Sequence, residues 1–86
     1  MALNNSVVDF VLAGAWRDAY AGTGITVGTA VTINNKSSSD IFVWLGTSAP
    51  SNPSGGYQVA SKGYLSIGTG ATGLWINGTG NILVQD

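Results

Sequence analysis

Enzyme chemistry in a small domain needs a nucleophile beside a base, a pair of carboxylates, or a set of metal ligands. This sequence has neither His nor Cys, which removes the commonest general base, the thiolate nucleophile and the favoured transition-metal ligands. Its acids are Asp9, Asp18, Asp40 and Asp86, with no Glu among them. No Asp-x-Asp spacing of the kind a Ca²⁺ loop uses is present. Asp40 stands at the start of an apolar run, where a turn-stabilising role is the simpler reading, and Asp86 reads as solvated. Gly68-x-Gly70-x-x-Gly73 matches the dinucleotide fingerprint in its letters. That fingerprint requires a helix whose N-terminus holds the pyrophosphate, whereas here Leu74-Trp75-Ile76-Asn77-Gly78 reads as a strand running into a turn. The expectation is therefore a protein that is not an enzyme, with no catalytic residue, no cofactor and no metal.

The remaining chemistry is aromatic. Trp16, Trp44, Trp75, Tyr20, Tyr57 and Tyr64 could stack against a sugar or a partner. Trp44 lies within a run that is apolar on both sides and is expected in the core. Trp75 alternates with Leu74 and Ile76, which leaves it open as a core residue, a subunit contact or a ligand platform. Tyr57, just after a long loop, is the best candidate for an exposed partner contact.

The elements that must position these residues read as strands. Asp40-Ile41-Phe42-Val43-Trp44-Leu45-Gly46 carries five large apolar residues in a row and is expected as an interior strand covered on two faces. Ser6 to Ala13 is apolar, either a strand or an arm lying on a neighbouring subunit, and Gly14 breaks it. Trp16 to Tyr20 alternates as a short strand would, and Gly22 and Gly24 mark a turn after it. Ala30 to Asn34 is the next strand, and the polar tract to Asp40 predicts a hairpin joining it to the interior strand. Thr47 to Gly56, punctuated by Pro50 and Pro53, reads as a long loop. Tyr57 to Ala60 and Tyr64 to Ile67 are expected as a hairpin, with a glycine, Gly63, at the positive φ of its turn. Asn77-Gly78 between Leu74-Trp75-Ile76 and Asn81 to Gln85 predicts a further hairpin. No segment shows helical periodicity. The fold class is thus all-β, a small antiparallel sandwich or barrel of about six to eight short strands, with residues 1–15 an N-terminal segment or arm and 16–86 a single β domain.

Charge is sparse. Only Asp9, Arg17, Asp18, Lys36, Asp40, Lys62 and Asp86 are charged, 8% of 86 residues, where an average soluble domain carries about 25%. Such a surface resists association poorly, and without disulfides or metals a domain this small gains stability most simply by oligomerising. A net charge of −1 with three scattered cations argues against nucleic acid as a partner. No stretch approaches 18 apolar residues, and Met1 to Gly14 lacks the basic start of a leader, so neither a membrane nor a targeting segment is expected.

The run from Thr23 to Ser38 (TGITVGTAVTINNKSS), followed by Ile41-Phe42-Val43-Trp44 and Ser48-Ala49-Pro50, resembles small virion proteins of tailed bacteriophages, a likeness that extends over roughly Trp16 to Asp86. The resemblance implies a late structural protein with a compact β fold, made in the host bacterial cytoplasm and assembled as a symmetric homo-oligomer, a trimer, on the particle exterior. Its expected role is capsid decoration (cement), with the phage major capsid protein as partner. The alternatives are a tail or fibre-attachment component bound to tail proteins, and a carbohydrate- or receptor-binding module using Trp75 and Tyr57. Val7, Val8, Phe10, Val11 and Leu12 of the N-terminal segment are the expected partner-contact residues, joined by Tyr57 and Trp75.

Overall fold

Alternating apolar residues form the strands of the chain, and two sheets form because each strand has one face to bury. The computed structural model of the chain describes residues 6–52 and 55–86, so Pro53 of the long loop lies outside the described residues, as do the side chains of residues 6–9. Among the described residues eight strands are formed: β1 (Ser6–Ala13), β2 (Arg17–Asp18), β3 (Val31–Asn35), β4 (Ile41–Leu45), β5 (Tyr57–Val59), β6 (Tyr64–Ile67), β7 (Leu74–Asn77) and β8 (Thr79–Gln85). They build an antiparallel sandwich with order β1-β8-β3-β6 in the first sheet and β2-β7-β4-β5 in the second. The core between them draws Ile33, Ile82 and Val84 from one sheet and Ile41, Val43, Leu74 and Ile76 from the other, all almost fully buried.

Every connection except β4–β5 passes from one sheet to the other. The three hairpins expected from sequence, β3–β4, β5–β6 and β7–β8, are all such crossings, and the long loop after β4 closes the hairpin that exists, β4–β5. The Asn77-Gly78 signal marks a sharp turn correctly, but the turn is a sandwich corner. Gly78 alone separates β7 from β8, at a φ of 151°. A Cβ there would stand 2.9 Å from Cγ2 of Ile41, and its carbonyl accepts from the Gly14 N–H at 2.7 Å. Only glycine combines that φ with that proximity.

The β3–β4 crossing is organised by Asn35, which is fully buried. Its Nδ2 donates toward the carbonyls of Ser39 (2.8 Å), Val59 (3.1 Å) and Ala60 (3.2 Å), while its Oδ1 accepts from the Ser37 N–H (3.0 Å). Its backbone closes the same cross-link, donating to Gly63 and accepting from Lys62, both at 2.8 Å. One amide thus fixes the 36–40 loop to the 59–63 turn. The positive φ of that turn belongs to Lys62 (68°), a correction to the expected glycine, and Lys62 Nζ donates to the Lys36 carbonyl at 2.8 Å. Among the described residues, every buried side-chain nitrogen or oxygen has a hydrogen-bond partner.

The stretch from Trp16 to Tyr20 is not a strand throughout. After the two residues of β2 it turns into a helix, α1 (Ala19–Thr23). Asp18 caps its start, accepting from the Ala21 N–H at 3.1 Å, and Gly24 at φ 78° ends it. Asp at an N-cap and Gly just past a C-terminus are the two local signals that outweigh a short alternation. The turn buries Tyr20, whose hydroxyl donates to the Thr29 carbonyl at 2.8 Å. Burial pushes the Tyr20 phenol above its ordinary value of 10.0, against a smaller opposing effect of a backbone hydrogen bond with Gly28.

Candidate functional site

Cross-strand partners share a face of a sheet, so the register assigns faces. In the second sheet Val43 lies opposite Ile76 and Leu45 opposite Leu74, and Ile41, Val43, Leu74 and Ile76 point into the core. Trp44 lies opposite Trp75 and Phe42 opposite Asn77, so these residues occupy the outer face. Asp18 lies opposite Trp75 on its other side, and Gln58 lies opposite Phe42. Trp16, one residue before Arg17 and its partner Ile76, falls by the same alternation on the outer face. All three tryptophans of the sequence therefore collect on the side of the second sheet that turns away from the core.

This corrects the expected place of Trp44. The apolar run Ile41 to Leu45 is central within its sheet, between β7 and β5, but only one of its faces is covered by the other sheet. Trp44 is 38% exposed, where a core residue was expected. A continuous apolar run implied burial on both sides; the second side is an aromatic surface instead.

Two indoles are held by backbone carbonyls. Trp75 Nε1 donates to Gly46 at 3.1 Å and Trp16 Nε1 to Asn52 at 3.3 Å. Gly46 and Asn52 both belong to the β4–β5 loop. In the sheet order β2 stands two strands from β4, about 10 Å away at ordinary strand spacing. To meet Trp16 the loop must fold back across the outer face rather than project off its end. Close backbone approach anchors its start: the Gly46 N–H donates to the Gly73 carbonyl at 3.2 Å, and a Cβ on Gly73 would sit 2.0 Å from the Gly46 oxygen. Gly73 of the Gly68-x-Gly70-x-x-Gly73 pattern thus has a packing role, and the pattern runs directly into β7.

The predicted contact residues separate into groups. Phe10 (1% exposed) and Leu12 (3%) are core side chains, so they face inward and not toward a partner, which corrects their expected role. The segment that carries them, β1, pairs with β8 as an edge of the first sheet, with a bulge between Val7 and Phe10, and so belongs to the sandwich rather than forming a separate arm. Val11 is exposed, and the side chains of Val7 and Val8 lie outside the described residues. Tyr57 is exposed but stands opposite Val43, so it and Trp75 lie on opposite sides of the second sheet. Trp75 shares its face with Trp44 instead. Knowing the parity of the pairing would have identified this pair from sequence; the sequence does not supply it.

The aspartates whose partners are seen hold the fold together. Asp18 caps α1, and Asp40 accepts from Gln58 Nε2 and from the Ser61 N–H. Arg17 turns to the other side of β2, where its guanidinium lies 3.9 Å from the centroid of the Phe10 ring and donates to the Val11 carbonyl at 2.8 Å. Among the described residues no group of three or more His, Cys, Asp or Glu could hold a metal ion, and no helix is long and apolar enough to cross a membrane. A shallow cavity of about 260 Å³ lies beside β3 and β6, lined by Ala30, Val31, Thr32, Ser66, Ile67 and Asp86, with a single carboxylate. The arrangement offers surfaces for contact: an aromatic outer face on one sheet and, on β3, β6 and β8 of the other, an outer face made of Thr32, Asn34, Tyr64, Ser66, Asn81, Leu83 and Gln85 with no charge. No family model matches the chain, and no curated protein and no solved structure matches it either.

Proposed function

We propose that this chain is a structural protein of a bacteriophage virion, a capsid decoration protein that sits on the particle exterior as a homo-oligomer and clamps adjacent major capsid subunits. The observation that carries the reading is the charge-free outer face of β3, β6 and β8 in the first sheet. A domain that stays dispersed in water normally spreads charges of both signs over its sheets; a domain held in an assembly does not need them. Depletion of charge is also the compositional mark of the centre of protein–protein contacts. The likeness of Thr23 to Ser38, Ile41 to Trp44 and Ser48 to Pro50 to small virion proteins of tailed phages suggests the kind of particle. The mechanism is linkage: a clamp that binds only the assembled shell stabilises that shell by its own binding free energy.

The test is incubation of the purified chain with expanded capsids that lack it. Co-sedimentation at saturating stoichiometry and a raised capsid melting temperature are expected. A protein that stays monomeric and leaves the capsids unbound would sink the proposal, and cross-linking to tail proteins in native particles would replace it with a tail role.

A further inference from the structure

Independently of where the chain resides, we infer that the tryptophan face of the second sheet is a binding site for a neutral carbohydrate chain. Tryptophan in a small sandwich belongs in the core, where its large apolar area stabilises most. Here all three are on the outer side, and Trp44, directly across from Trp75, is 38% exposed. Exposed aromatic surface arranged in this way marks a contact site.

Three features select the occupant. First, the indole N–H groups of Trp16 and Trp75 are taken by the Asn52 and Gly46 carbonyls. Those half-buried rings are therefore fixed in orientation beside the exposed Trp44, whose carbon surface suits the C–H face of a pyranose. A proline-rich peptide, which needs aromatic-ring donors for its carbonyls, is served less well. Second, the cations whose partners are seen lie elsewhere: Arg17 points to the opposite side of its strand, over Phe10, and Lys62 Nζ donates to the Lys36 carbonyl beside Asn35. A phosphate, sulfate or uronate would find neither counter-charge there. Third, neutral polar groups border the rings. Gln58 shares the face, and the covering loop exposes Thr47, Ser48 and Ser51 between its two anchor points, supplying hydroxyls for a polyol. Two carboxylates border the face and both are occupied: Asp18 caps α1, and Asp40 accepts from Gln58 Nε2 and the Ser61 N–H.

The experiment is affinity electrophoresis of the full chain through native gels holding hydroxyethylcellulose, laminarin, soluble starch or galactomannan, with polygalacturonate and dextran sulfate as charged comparators. Retardation is expected in at least one neutral polysaccharide and in neither charged one, with a blue shift of tryptophan emission on titration. Trp44→Ala should weaken binding by about tenfold or more, the scale of losing one anchor aromatic. Trp44→Phe should retain part of it, and Tyr64→Ala, on the other sheet, should leave it unchanged. An unaltered urea midpoint for each variant separates lost binding from lost folding. Absence of retardation in every neutral polysaccharide overturns the inference, as does equal retardation of wild type and Trp44→Ala. If Trp44→Ala instead abolishes self-association in sedimentation while no polysaccharide binds, the face is an interface between copies and the inference is equally overturned.

Discussion

Asn35→Asp exchanges one NH₂ for one oxygen at almost constant volume, at a side chain that is fully buried. The carboxylate keeps the acceptor role toward the Ser37 N–H (3.0 Å), so that half of the cross-link survives. On the other half, an oxygen replaces the donor that now faces the carbonyls of Ser39, Val59 and Ala60 at 2.8, 3.1 and 3.2 Å. Two amide hydrogens serve those three acceptors, so about two hydrogen bonds are lost, each worth ~1 kcal/mol net. The ionised carboxyl also loses its water, and Lys62, the cation of this cross-link, directs its ammonium to the Lys36 carbonyl instead. Together the loss at neutral pH comes to about 3–5 kcal/mol. A domain of 86 residues has a total stability of roughly 4–13 kcal/mol at ~0.05–0.15 kcal/mol per residue, so the variant should be marginal. Protonation relieves part of the cost, because a carboxylic O–H restores one donor. Burial and the facing carbonyls raise the folded-state pKa of the introduced carboxyl above its unfolded value of about 3.9. The variant therefore lies closest to wild type below that unfolded value, and the gap widens as pH rises through the folded-state pKa. Urea denaturation of both proteins from acid to neutral pH measures the difference at each pH, so that the natural carboxylates cancel. A neutral-pH loss below about 1 kcal/mol, or a gap that does not change with pH, would refute the assignment of Asn35 as the hub.

Three other outcomes are expected. Because the folded-state pKa of Tyr20 is raised above its unfolded value, its contribution is fully present below about pH 10 and is lost as pH rises through the folded value; Tyr20→Phe should flatten that alkaline loss in urea midpoints. Gly78→Ala places a Cβ 2.9 Å from Ile41 Cγ2 at a φ of 151° and should cost at least about 2 kcal/mol by denaturant unfolding. Lys62→Asn, at a φ of 68° that asparagine tolerates better, should be neutral or stabilising by roughly 0.5 kcal/mol, and a clear loss would mean that the Lys62–Lys36 contact matters more than the backbone strain.

The sequence by itself determined the class of fold. Period-two patterns such as Val31-Thr32-Ile33 and the clustered Gly, Ser and Asn between them place β3 to β8 close to where they lie, because alternation and turn chemistry are local properties of a few residues. It also carried the α1 signals, Asp18 and Gly24, although a five-residue alternation obscured them. Tertiary structure decided which strands pair. Asn77-Gly78 reverses the chain equally well inside one sheet or between two, and it is a corner here because β7 pairs with β4 and β8 with β3 in different sheets. That choice sets the parity of every face, and so it is the pairing of Trp44 with Trp75 and the return of the β4–β5 loop to Trp16 that create the aromatic surface. The same choice turns Phe10 and Leu12 from candidate contacts into core. Side-chain direction along a strand is a local fact, but which direction is outside depends on where the other sheet lies.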